Sequence, residues 1–229
     1  MGSINLMFHD VKTNPSRWNT TPERFVEIME RIAAHPNKAN VTITVDDAGK
    51  GNHQFMLPVF TNLNFKVHIF VPTAFISKGS NTSSYMTAEQ IKEFADQGHT
   101  IGSHSHTHPK NISLLSTEKI IDEWKESKEI LENITGKAVE SCSIPGGFYS
   151  HNQLNIIKNL GYKEIFNSIP IFNEKYLGNF KLSGRFSIEN HTANEDLEKI
   201  LNMSVWYQQK LQIRQKLSQT YHTLKHKLK

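Results

Sequence analysis

Along the 229 residues, short runs of β-branched and aromatic side chains alternate with longer stretches whose apolar residues recur at helical spacing. The short runs predict strands at INLMFH (4–9), VTITVD (41–46), KVHIFVP (66–72), HTIGS (99–103), ESCSIP (140–145), KEIFNS (163–168) and GRFSI (184–188). Helix starts are marked between them. Thr21 precedes Pro22 at a first-turn position, and Thr87 with Gln90 and Ser150 with Gln153 have capping-box spacing. Gly98, Gly136 and Gly161 stand where helices should stop. Trp124, with Ile120, Ile121 and Leu131 at helical spacing, reads as core. This alternation predicts a mainly parallel sheet with helical crossovers. Spacing alone allows either a closed barrel or an open doubly wound sheet.

Composition changes this picture little. The chain is 37% apolar and 21% charged, as in globular proteins, and its single cysteine, Cys142, excludes an intrachain disulfide. No run is long and apolar enough for a membrane span, and MGSINLMFHDVK lacks the features of a secretory signal. The expected location is therefore the cytoplasm, extending to the inner membrane surface; a trimmed start would imply secretion instead. Charge is more informative than the total of +4 suggests. Six of the 26 Lys and Arg lie in residues 206–229 with no acid, which leaves 20 bases against 22 acids elsewhere. The expected organisation is a domain over 1–205 and a basic amphipathic helix over 206–229, packed on it or extending from it. In that tail Leu217, Tyr221, Leu224 and Leu228 form an apolar stripe opposite lysines. A terminal helix packed on the domain is one reading. Docking at anionic lipid, or at a glycosyltransferase complex, is the other. No nucleic-acid reader motif accompanies the charge, so nucleic acid is not an expected partner.

Parallel α/β folds build their sites at the carboxyl ends of strands. There the first strand meets His9-Asp10, and the second ends in Asp46-Asp47 followed by Ala48-Gly49-Lys50-Gly51. The fourth runs into His104, His106 and His108, and the fifth into Pro145-Gly146-Gly147. Adjacent carboxylates on a regular strand face opposite sides, so Asp46 and Asp47 share a site only if the chain bends, for which Ala48-Gly49 is the candidate. One could then bind a cation while the other accepts a proton. Neutral imidazoles plus a carboxylate suit Zn²⁺ or another divalent transition metal. Pro109 biases His108 towards extended geometry, which would put His104 and His108 on one side, but periodicity does not say which histidines bind.

The motifs TITVDDAGKGN (42–52), HIFVPTAFI (68–76), IGSHSHTHP (101–109) and SIPGG (143–147), in this order and after LMFHDV, resemble the NodB-type polysaccharide deacetylases of carbohydrate esterase family 4. The likeness is strongest over residues 4–162. It implies a distorted (β/α) barrel, a divalent metal, usually zinc, and hydrolysis of N-acetyl groups on the amino sugars of a glycan, glycolipid or lipid-linked precursor. It also implies that Asp46 is the base and that Asp47, His104 and His108 hold the metal, with His106 the variable residue between. Gly146 and Gly147, after Pro145, would bring a backbone N–H to the oxyanion, and Phe148 and Tyr149 are candidates for stacking on a sugar.

Three departures stand out. Ser143 occupies the place of the motif arginine that usually orients the catalytic aspartate, and Ala48 replaces the usual glycine. The late L-x-H motif that supplies the general acid is not evident; His191 is the nearest candidate and His9 the substitute. A catalytically weak or inactive glycan- or partner-binding protein is therefore the alternative to an enzyme, and an O-acetyl esterase is a third reading.

Overall fold

The computed structural model describes residues 2–79 and 83–227, with side chains through Leu217. Nine strands form one sheet: β1 (Ile4–Phe8), β2 (Val41–Val45), β3 (Val67–Val71), β4 (Thr100–Ser103), β5 (Ser141–Ser143), β6 (Glu164–Phe166), β7 (Lys175–Leu177), β8 (Phe180–Ser183) and β9 (Phe186–Ser187). Their order is β7-β8-β6-β5-β4-β3-β2-β1-β9, and every pairing is parallel except β7 with β8. All five residues of β1 are buried. That is the expected state of a parallel strand covered on one side by helices and on the other by a barrel interior.

β8 and β9 are neighbours in the chain yet lie towards opposite ends of the sheet. Only Gly184 and Arg185 separate them. The sheet therefore curls until these two ends approach, giving a distorted barrel whose seam is crossed by the chain itself. At the crossing Asn5 donates its amide N–H to the Gly184 carbonyl (3.0 Å), and the Arg185 N–H bonds the Ile169 carbonyl (3.0 Å). Any side chain at 184 would collide with that same Ile169 carbonyl, because its Cβ would lie 2.2 Å from the oxygen. The step needs glycine for close approach.

Seven of these strands coincide with the seven predicted from β-branched runs. The hairpin of β7 and β8 was not predicted. β7 is three exposed residues, so it carries no alternation of buried and exposed positions. Its two-residue turn, Gly178-Asn179 with Gly178 at φ 67°, is the signal the pattern did contain.

Three crossover helices start where the caps predict. In α1 (Pro22–Ala34), Thr21 accepts the Arg24 N–H, and Phe25, Ile28, Met29 and Ile32 make the buried face. α2 (Leu57–Asn62) extends a π-helical turn over Asn52–Met56. The capping box of α3 (Ala88–Asp96) closes in both directions between Thr87 and Gln90. α4 (Thr117–Thr135) ends at left-handed Gly136 and buries Trp124 and Leu131 in the core. In α5 (His151–Asn159) only half of the predicted box forms: Ser150 accepts the Gln153 N–H, but the Gln153 amide is buried without a partner. After α6 (Asn194–Leu201), α7 (Val205–Lys227) lays Tyr207 and Leu211 against the core. Of the apolar stripe read in the tail, Leu217 is exposed, and the side chains of Tyr221, Leu224 and Leu228 lie outside the described residues. Among the described residues, no helix is long and apolar enough to cross a membrane.

The glycines of the loop after β2 serve contact rather than conformation. Gly51 has an ordinary helical φ of −64°, but a Cβ there would lie 1.9 Å from the Val11 carbonyl oxygen. Gly136 is the converse, at φ 66° with open space around it. Gly51→Ala is expected to lower unfolding free energy by more than about 2 kcal/mol, and Gly136→Ala by about 1 kcal/mol. Urea unfolding of both variants checks this, and a Gly51→Ala protein as stable as Gly136→Ala would contradict it.

Candidate metal-binding and catalytic site

The carboxyl ends of β1 and β2 are tied together before any functional group is placed. The Asp46 N–H donates to the Phe8 carbonyl (2.9 Å). The Asn52 amide, oriented to satisfy its neighbours, donates to the His9 carbonyl (2.8 Å) and the Asp10 carboxylate (3.2 Å) and accepts the Gly49 N–H (3.2 Å). The chain then turns at Asp47 (φ 73°) and Ala48 (φ 50°), not at Ala48-Gly49 as the sequence suggested. Gly49 instead allows Asp10 to approach, since a Cβ there would sit 2.3 Å from the Asp10 carboxyl carbon. A φ of 50° is a conformation that favours glycine, and Ala48, with the smallest side chain, tolerates it at a cost of about 1 kcal/mol. The turn leaves Asp46 buried and Asp47 half-buried, both within 3.7 Å of the His104 ring.

The histidine stretch is likewise a turn, not the extended segment that Pro109 predicts. Ser105 and His108 are left-handed, with φ of 61° and 54°. Glu123 of α4 holds this conformation by accepting the N–H groups of His106 (2.9 Å) and Thr107 (2.8 Å) and the Thr107 hydroxyl. The Ala74 N–H bonds the His106 carbonyl from the β3 side (2.9 Å). Folded in this way, the loop places the His104 and His108 rings 4.7 Å apart. Their Nε2 atoms lie 3.6 and 3.4 Å from Asp47 Oδ1. His106 points elsewhere, to the Thr73 hydroxyl (2.8 Å) and Glu126 (3.4 Å).

The ligand atoms of Asp47, His104 and His108 all lie within 4.8 Å of one another. Because the Ser143 carbonyl can only accept, His104 Nδ1 must donate to it (2.8 Å), which leaves the Nε2 lone pair aimed at Asp47. Burial, with the neighbouring His108, lowers the His104 pKa against the pull of Asp46 and Asp47 and favours the neutral ring. Two imidazoles and a carboxylate gathered around one point are a donor set suited to a divalent transition metal.

Asp46 is held by a residue that the motif reading missed. Arg185, carried inward at the seam, donates Nη1–H to Asp46 Oδ1 (2.7 Å) and Nη2–H to Oδ2 (2.8 Å). Its other donors reach the Asn167 carbonyl (3.1 Å), the Thr44 hydroxyl (3.1 Å) and the Ser143 hydroxyl (2.7 Å). All five guanidinium N–H groups are thereby used. Ser143 in turn donates to Asp46 Oδ2 (3.1 Å). Burial raises the Asp46 pKa, but the Arg185 guanidinium, followed by His104, outweighs it and holds the carboxyl well below the usual range. The arginine absent at position 143 is thus replaced from the other side of the barrel, and serine leaves room for it. A charged residue inside a predicted strand, GRFSI, was the available signal.

The two candidate acids separate. His9 lies near enough for its charge to act on Asp46; its Nδ1 is buried without a partner and its ring lies 5.8 Å from Trp18. His191 is 70% exposed and pairs with Glu189 (3.3 Å), which also binds Arg17 (3.2 Å). Among the described contacts none joins His191 to the cluster. Gly146 (φ 64°) and Gly147 (φ 74°) form a short turn after Pro145, but the Gly147 N–H already donates to the Ile144 carbonyl (3.1 Å). Phe148 is half-buried, and Tyr149 packs against the core. Sequence reading also missed Tyr85 and Phe75, whose rings lie 4.8 Å apart, with Phe75 6.0 Å from His108. Burial, then the charges of Asp47 and Asp10, raises the Tyr85 pKa, so its phenol remains a donor beside the cluster.

Residues 33–165 match the polysaccharide deacetylase family. A peptidoglycan-N-acetylglucosamine deacetylase of Bacillus cereus is 30% identical over 139 residues, which cover 60% of this chain and 48% of that protein. The chain spans about half the length of the first curated relatives it matches. Its fold is that of a polysaccharide deacetylase from Bacillus cereus (TM-score 0.75, 20% identity, 88% of this chain and 69% of that one). It is also that of the Streptococcus pyogenes deacetylase PplD (TM-score 0.71, 20% identity, 88% and 98%). The family match spans more than half of the chain and takes in Asp46, Asp47, His104, His108 and the Pro145-Gly146-Gly147 turn, and on that basis the chain belongs to the polysaccharide deacetylase family.

Proposed function

We propose that this protein is a divalent-metal-dependent hydrolase, with zinc the first candidate, that removes N-acetyl groups from an amino sugar in a polysaccharide, glycolipid or lipid-linked glycan. One juxtaposition supports this most: two imidazoles and a carboxylate converge beside a second, separately held carboxylate that stays ionised. When bound by Asp47, His104 and His108, the metal would polarise the acetyl carbonyl and lower the pKa of water.

The chain's own groups do the rest. Asp46, fixed by Arg185 and Ser143, takes a proton from the water that attacks the carbonyl carbon. The negative charge that develops on the acetyl oxygen needs a fixed donor; with Gly147 committed to Ile144, that role falls to the Gly146 N–H. As the carbon–nitrogen bond breaks, the departing amine needs a proton, and His9 is better placed than His191 to give it. Acetate and a free amino sugar result. Tyr85, Phe75 and Phe148 offer aromatic surface around the mouth for a sugar ring. An inert glycan-binding version of the fold is the second reading, prompted by the missing motif arginine; Arg185 on Asp46 favours the enzyme.

Asp46→Asn should lose about 10²-fold or more of acetate release from N-acetylglucosamine oligomers while keeping bound metal, whereas Asp47→Asn should lose both. Metal analysis paired with acetate assays checks this; loss of metal in Asp46→Asn would contradict it. His9→Gln should slow turnover by about 10²-fold and His191→Ala should leave it unchanged. The reverse order would move the acid to His191. Because folding depresses the Asp46 pKa, its pair with Arg185 stabilises the protein fully above the unfolded value of about 3.9 and loses that contribution as pH falls through the folded value. Arg185→Lys gives up the two-point grip, so the acid limb of the pH–rate profile should move up by about one unit. An unmoved limb would show that Arg185 does not set the charge of Asp46.

A further inference from the structure

α7 packs on the domain through mostly polar side chains. Its inward face is made largely of glutamines. Gln212 and Gln215 donate to the Pro170 and Ser168 carbonyls (2.9 Å each), and Gln208 accepts the Phe172 N–H (2.9 Å), beside buried Tyr207. At 100° per residue, Trp206, Ile213 and Leu217 fall within about 40° of one another, directly opposite that face. They are 67%, 60% and 67% exposed. Lys210 and Arg214 border this apolar stripe on one side and Lys216 on the other, all exposed. The Lys210 ammonium lies 5.8 Å from the Trp206 ring centroid. No acid occurs anywhere in residues 206–229.

We propose that this outward face docks on an anionic lipid bilayer, with Trp206, Ile213 and Leu217 entering the interface and the flanking bases meeting headgroup charge. An apolar stripe bordered on both sides by Lys and Arg, with a tryptophan on it, is the pattern of a helix lying in a membrane surface. A second copy of this chain is a poorer occupant. Two such faces would set bases against bases, and three side chains fall well short of the roughly 800 Å² per partner that a stable protein interface buries. Docking here would also serve the catalytic mouth. The segment that α7 grips leaves β6 at the same rim as the site, and Ser168 is packed so closely on Gly147 that a Cβ there would sit 2.0 Å from its hydroxyl. A glycan carried at the bilayer surface would then meet the mouth without leaving the membrane.

The test uses the full chain and sedimentation with vesicles of phosphatidylcholine alone or mixed with phosphatidylglycerol. Binding is expected to the mixed vesicles, weakening as salt rises. Trp206→Ser/Ile213→Ser/Leu217→Ser should cut partitioning at least about tenfold, and Lys210→Glu/Arg214→Glu should do likewise, while acetate release from a soluble oligosaccharide stays unchanged. Vesicles should blue-shift tryptophan emission in the wild type but not in Trp206→Phe. The proposal is overturned if the wild type fails to bind the anionic vesicles, if the triple variant sediments with them as well as the wild type, or if the stripe proves to hold a dimer by analytical ultracentrifugation.

Discussion

The buried pair of Asp46 and Arg185 is the constraint around which the site is arranged. Two opposite charges withdrawn from water cost several kcal/mol each unless every donor and lone pair finds a partner. Here all five guanidinium N–H groups are used and Asp46 accepts three bonds. Satisfying that geometry ties four strand ends together, since Thr44 belongs to β2, Ser143 to β5, Asn167 follows β6, and Arg185 lies between β8 and β9. The same contacts hold a carboxylate ionised at 3.7 Å from His104. Stability of the seam and the ionised state of Asp46 therefore depend on one ion pair.

Strain is concentrated at the mouth. Of the six non-glycine residues at positive φ among the described residues, Asp47, Ala48, Ser105 and His108 form the site's two turns. Each costs about 1 kcal/mol, and each is held by something specific. Asn52 and Asp10 brace the first turn; Glu123 and the Thr73–Ala74 backbone brace the second. Relaxing either turn would carry one of the clustered side chains away, so the strain and the convergence of Asp47, His104 and His108 arise from the same backbone.

Much of this was legible in the sequence, though not always by the right route. β-branched runs located seven strands, and caps located the starts of α1, α3 and α5, because both signals are local. The extended geometry expected from Pro109 left open which histidines bind, and the pairing of His104 with His108 was anticipated from the family resemblance. The structure reaches it through a left-handed turn set by Glu123, whose bonds to His106 and Thr107 span 17 and 16 residues, a separation that no periodicity reports. The hairpin of β7 and β8 escaped because exposed edge strands carry no hydrophobic pattern. Arg185 escaped for a different reason. Its partner is 139 residues away, and a motif read in order along the chain has no means of registering a charge supplied from the opposite side of a barrel seam.

Moving the arginine tests this account most directly. Arg185→Ser should reduce acetate release by about 10²-fold or more, and adding Ser143→Arg, which restores the charge from the SIPGG turn on the other side of the seam, should recover at least about tenfold of that loss. Full activity in Arg185→Ser alone would contradict the claim that Asp46 depends on Arg185.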